Sequence, residues 1–220
     1  MTLKELLEVL QPASIVLAAL VAAYGIDAWR REFIGKRKME LAEEVLALSL
    51  EAREIISYMR TPGGIEDEIQ VRHAMKERQT ATEIVKSILR RPLEKQDRHL
   101  EKLNRLWALS YRFRAQFGSD AAAPIDTLRG VVAQIKTSTQ ILLELVEDRD
   151  FTRGDGELRS SLRERHEAIV YASFSAGMSE PDKIAVDVDD AIERITTTCR
   201  NALASTSTLY GWLNTKVTKE

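Results

Sequence analysis

"AAYGIDAWRREFIGKRK", residues 22–38, joins the end of an apolar run to a dense cluster of positive charge. What this stretch is decides how the rest of the 220-residue chain is organised. From Ala13 to Ala28 the only strongly polar residue is Asp27, with Ser14, Tyr24 and Gly25 as mild interruptions. Pro12 to Trp29 makes about 27 Å of helix at about 1.5 Å per residue. That is just enough for a hydrocarbon core of about 30 Å. Ile15, Val16, Leu17, Leu20, Val21 and Ile26 are its large aliphatic residues. Tyr24 and Trp29 lie near one end, where amphipathic rings favour the headgroup level. Upstream, Leu3, Leu6, Leu7 and Leu10 recur at helical spacing and extend the pattern toward the N-terminus.

The order of the parts separates three readings. A cleaved signal peptide carries its positive charge before the apolar stretch; here only Lys4 precedes it. Arg30, Arg31, Lys36, Arg37 and Lys38 follow it, against the single acid Glu32. A helix buried in a soluble core remains an alternative, because the run is short and alanine-rich. The reading that accounts for both the run and its flank is a single-pass membrane anchor. Basic residues within about 15–20 positions of a span are retained on the cytoplasmic side, so the C-terminal part is expected there. The same bases are placed to meet anionic lipid heads.

Beyond the flank the pattern is strongly helical. Leu41, Val45, Leu48, Ala52, Ile55 and Met59 follow spacings of three and four, with Ala42, Leu46 and Ile56 widening the stripe. Between Trp29 and Leu41 only Gly35 interrupts, and one glycine costs about 1 kcal/mol relative to alanine. The apolar run and the stripe therefore read as one long helix, stopped at Thr61-Pro62-Gly63-Gly64. A polar stretch from Ile65 leads to a helix expected to end before Pro92. Leu100, Leu103, Leu106, Phe113 and Phe117 make the next face, closed by Gly118. Leu128, Val132, Ile135, Leu142 and Val146 line a further helix after Asp120 and Pro124. Glu147 to Glu157 reads as a polar loop. Helices around Leu158–Ala172 and Val188–Leu203 complete the chain before a Ser/Thr-rich tail. The expected fold class is all-α: an N-terminal transmembrane helix and a bundle of about five helices. The expected division is 1–35 anchor and basic flank, 36–204 cytoplasmic bundle, and 205–220 tail.

Chemistry-bearing motifs are tested against this frame. A carboxylate-bridged di-metal bundle needs Glu-x-x-His pairs. Gln70, Gln96 and Arg163 stand three before His73, His99 and His166, so no such pair exists. Asp148, Asp150 and Thr152 mimic the start of a calcium loop, but Arg153 and Arg159 occupy its glycine and acidic positions. No phosphate-binding glycine loop or nucleophile elbow is present. The basic and aromatic run Leu89–Phe117 is broken by Glu94, Asp97 and Glu101, which argues against nucleic acid as a partner. Cys199 is the single cysteine, so the chain forms no internal disulfide, and a lone thiol fits a reducing compartment.

"AWRREFIGKRKMELAEEVLAL" (28–48), "LWALSYRFRAQFGSDAA" (106–122) and "SEPDKIAVDVDDAIERITTTCR" (179–200) together resemble a group of hypothetical bacterial proteins, mainly alphaproteobacterial. These have an N-terminal membrane segment and a helical cytoplasmic part. The resemblance implies the same topology and a bacterial inner-membrane location; it carries no activity and no functional residues.

The function expected is therefore non-enzymatic. The chain is read as a membrane-tethered helical module without a cofactor, with membrane lipid and a protein partner or second copy as its partners. The stripe from Leu41 to Met59 is the candidate packing surface. One alternative is a small-ligand sensor or enzyme with a pocket among groups such as Glu43, Glu44, Arg112 or Arg114. Another is a soluble protein with residues 12–29 buried.

Overall fold

The structure, a computed structural model, describes residues 3–61, 81–147, 156–172 and 182–206. Within these, the side chains of 3–16, 19, 27, 28, 31, 81 and 204–206 are not described. Among the described residues every regular element is an α-helix. They are α1 (Leu3–Arg60), α2 (Ala81–Arg98), α3 (Leu100–Phe117), α4 (Ser119–Glu147), α5 (Gly156–Val170) and α6 (Lys183–Thr206). The single long helix expected from the apolar run through the stripe is α1, which passes Gly25 and Gly35 without a break. The expected loop 147–157, the calcium-like positions Asp148–Thr152 and the tail after Thr206 fall largely or wholly outside the described residues.

The chain divides into two compact units, residues 1–42 with 201–220, and residues 43–200. The second unit is the helical bundle. Its centre is α4, which packs against α2, α3 and α5. Ala122, Ile125, Leu128, Val132, Ile135, Thr139 and Leu142 recur at threes and fours along α4 and are buried. Phe113, Leu103 and Leu106 of α3 and Ile195 of α6 are among the most deeply buried large side chains. A smaller cluster of Leu89, Leu142 and Val170 is flanked by Leu145, Val146 and Tyr171.

Two expected boundaries differ from the structure. α2 does not stop before Pro92 but runs through it to Arg98. Proline removes one i→i−4 hydrogen bond and crowds the preceding turn. Here its ring is fully buried, so packing offsets the lost bond. The break comes instead at His99 (φ −116°, ψ 11°), after which α3 begins at once. Likewise Pro124 lies inside α4, which starts at Ser119 directly after Gly118. Gly118 has φ +93° and ψ 168°, backbone space that is nearly glycine-only, and its N–H donates to the Arg114 carbonyl at 2.9 Å.

Ionic contacts fix the register of α1 within the bundle. Arg53 meets Asp189 and Arg60 meets Asp182, so a seven-residue step along α1 matches a seven-residue step backwards along α6. The two helices are antiparallel over this length. On another side Glu44 pairs with Arg105 and Glu51 with Lys102, which sets α1 antiparallel to α3. Most of these pairs are exposed and contribute about 0–1 kcal/mol each.

Arg60 is different. Its side chain is 4% exposed, and it donates to both carboxylate oxygens of Asp182 at 2.6 and 3.1 Å. It also donates to the carbonyls of Ile169 (2.9 Å) and Ala168 (3.0 Å), the unsatisfied acceptors at the end of α5. Asp182 in turn accepts from the amides of Ile184 and Ala185, capping α6. Lys95 closes the end of α1 itself, donating to the Tyr58 and Thr61 carbonyls and lying 4.5 Å over the Tyr58 ring. Arg60→Ala should therefore lower the unfolding free energy of the full chain by about 3–5 kcal/mol. Arg53→Ala should lower it by less than about 1 kcal/mol, as urea titrations followed by circular dichroism would show.

Buried Ser138 of α4 lies 3.1 Å from Nδ1 of half-buried His166 of α5. Desolvation first, and the neighbouring Arg165 second, hold His166 below its ordinary value. The native state then resists a proton that the unfolded chain accepts, so unfolding takes up protons. Stability should fall as pH drops below about 6.5 and level off under the lowered native value. In His166→Gln that component of the acid-side slope should be missing from pH-resolved melting curves.

Candidate membrane-facing segment

The N-terminal part of α1 has a different environment from its C-terminal part. Leu17, Leu20, Val21, Tyr24, Ile26 and Trp29 are all more than 60% exposed. Ala18, Ala22, Ala23 and Gly25 are exposed as well. At about 100° per residue these positions cover the whole circumference of the helix. Ile26 falls on the side opposite Leu17, and no charged residue lies among the described positions from 17 to 26. Large contiguous apolar surface of this kind marks a place that something else covers. Among the described residues nothing covers these side chains, whereas the alternative of a soluble protein expects residues 12–29 to be buried. Ile15 and Val16 are helical in backbone, and their side chains lie outside the described set.

The transmembrane expectation meets a limit here. No helix among the described residues is long and apolar enough to cross a membrane. The apolar stretch Leu17 to Ile26, described in side chains except at Ala19, gives only about 15 Å of helix, half of a hydrocarbon core.

C-terminal to this stretch the surface changes character within two turns. Trp29 and Phe33 stack with ring centroids 5.7 Å apart, and the Arg37 guanidinium lies 4.4 Å over the Phe33 ring. Arg30, Lys36, Arg37 and Lys38 are exposed and pair with no acid among the described residues; the Arg31 side chain is not described. The Trp29–Phe33–Arg37 ladder escapes a reading that ends the apolar run at Trp29. Its i, i+4, i+8 spacing is the signal that reveals it.

The expected packing stripe lies inside the protein. Leu41, Val45, Ala52, Ile55 and Met59 are buried, and Leu48 is half-buried. Ser49 joins them, its hydroxyl donating to the Val45 carbonyl at 2.7 Å. The stripe is thus already occupied by its own chain and offers no free seam to a partner helix.

Nor do the groups considered for a pocket converge. Glu44 is paired with Arg105 and Arg114 with Asp126, while Glu43 and Arg112 point outward. A cavity of about 270 Å³ lies between α1 and α6 beside Arg60, its Arg53 and Asp189 already joined. Among the described residues no group of His, Cys, Asp and Glu is arranged to hold a metal ion. Cys199 is buried, which pushes its thiol up to about 11 and leaves it inert as a nucleophile.

The contrast along α1 is measurable. Met59→Ala should cost about 2–5 kcal/mol of stability through the cavity it leaves. Leu20→Ala, equally large-to-small on the same helix, should stay within about 0.5 kcal/mol. Comparison of the chain with protein-family models, with curated proteins and with solved structures finds no match.

Proposed function

We propose that this protein is a non-enzymatic helical module held at a membrane by the N-terminal part of α1. In this reading the bundle sits at the cytoplasmic face of a bacterial inner membrane and engages a protein partner or a second copy. The observation that carries the reading is the exposure of apolar side chains around the full circumference of α1 from Leu17 to Ile26. A partner helix or groove covers one face and leaves a polar face to water. A bilayer surrounds the helix. Trp29 and Phe33 then lie at the headgroup level, and the bases beyond them stay on the cytoplasmic side. The resemblance to membrane-anchored helical bacterial proteins supports the same placement.

A second reading, a small-ligand sensor, draws on a cavity of about 330 Å³ lined by Val85, Leu89, Leu142, Leu145 and Val146, with Arg159 beside it. That volume is at the low end for a ligand site, and Arg159 already donates to the Leu145 carbonyl. The tether explains more of the exposed surface.

Full-length protein is expected in the membrane fraction and should stay there after alkaline carbonate washing. Replacing Leu20 and Val21 by aspartate should release it while leaving the circular dichroism of the bundle unchanged. Release of the unaltered protein by carbonate would reject the tether.

A further inference from the structure

Of three candidates, the two cavities have their arginines already engaged: Arg53 and Arg60 in one, Arg159 and Arg163 in the other. The third is the surface around the Trp29–Phe33–Arg37 ladder. Trp29, Arg30, Phe33, Lys36 and Arg37 fall within about 120° of the helix circumference. All five are exposed, and the three bases have no acidic partner among the described residues. Glu32 points about 100° away from the centre of this face; Glu40 lies on it, one turn beyond Lys36, so the face keeps three bases against one acid. Arg37 is not free to sweep: its guanidinium is seated on Phe33, which is stacked on Trp29. The result is a cationic patch with an aromatic floor, directly after the apolar stretch.

We infer that this face binds the anionic headgroups of a bilayer, selecting negatively charged over zwitterionic lipid. The inference rests on the membrane-tether reading and deepens it by naming the lipid class. Charge complementarity decides the occupant. Guanidinium and ammonium groups recognise phosphate oxygens, and the rings place them at the depth where those phosphates lie. Each base near an anionic surface contributes about 1 kcal/mol, and the contribution decays within a Debye length. Lys38 projects about 140° from the centre of the face, so a bound headgroup uses it less than Arg30, Lys36 or Arg37.

The test uses full-length protein and flotation with two vesicle compositions, phosphatidylcholine alone and phosphatidylcholine with about 30 mol % phosphatidylglycerol, at about 0.1 and 0.5 M salt. The anionic vesicles should bind at least about tenfold more tightly at the lower salt, with most of the preference lost at the higher. Arg30→Gln/Lys36→Gln/Arg37→Gln should abolish the preference yet still float with neutral vesicles. Lys38→Gln should keep most of it. Equal binding to both compositions, or a preference that survives the triple substitution, overturns the inference and leaves the tether standing. Failure to float with either composition overturns the tether and the inference together.

Discussion

The bundle depends on one guanidinium taken out of water. Arg60 stands at the last residue of α1, where the end of α5 and the start of α6 also meet. Burying a charge is unfavourable unless every donor is used in good geometry. Here the carboxylate of Asp182 and two helix-terminal carbonyls take its donors, and Asp182 caps α6 at the same time. A shift of one residue in α1 would strand both the cation and the carbonyls. The arrangement therefore specifies the register of α1, and the exposed Arg53–Asp189 pair two turns away repeats that register without adding much energy.

That register explains the fate of the Leu41–Met59 stripe. Spacing alone says that these residues share a face; it does not say what covers the face. Because Arg60, Glu44 and Glu51 tie α1 to α5, α6 and α3, the stripe is turned inward and closed by its own chain. Upstream, from Leu17 to Ile34, large apolar groups stay outside. One helix thus carries two hydrophobic segments of different kinds. The first is apolar all round and, among the described residues, uncovered; the second is apolar on one side and buried.

Much of this was legible in the sequence, and the gaps have physical causes. Threes and fours of apolar residues are a local property, so the helices of α1, α3, α4 and α6 follow from it. Pro92 and Pro124 mislead because the proline penalty is local, whereas the burial that offsets it is tertiary. The pairing of Arg60 with Asp182 joins residues 122 apart and leaves no local trace beyond a basic last turn and an acidic first cap. At the candidate site the order of apolar run and basic flank was readable from "AAYGIDAWRREFIGKRK". The stacking of Trp29, Phe33 and Arg37 needed the helix to be built before it appeared.

The central claim is that lipid surrounds α1 from Leu17 to Ile26, and spin-label accessibility tests it most directly. Labels placed singly at positions 17 to 26 of the full-length protein in vesicles would be probed with oxygen and with a water-soluble nickel chelate. Buried Cys199 would be replaced by serine for this purpose. The account predicts high oxygen and low nickel accessibility at every position, with no dependence on the side of the helix. A helical oscillation, in which one face meets nickel and the opposite face meets neither probe, would contradict it and place a protein partner there.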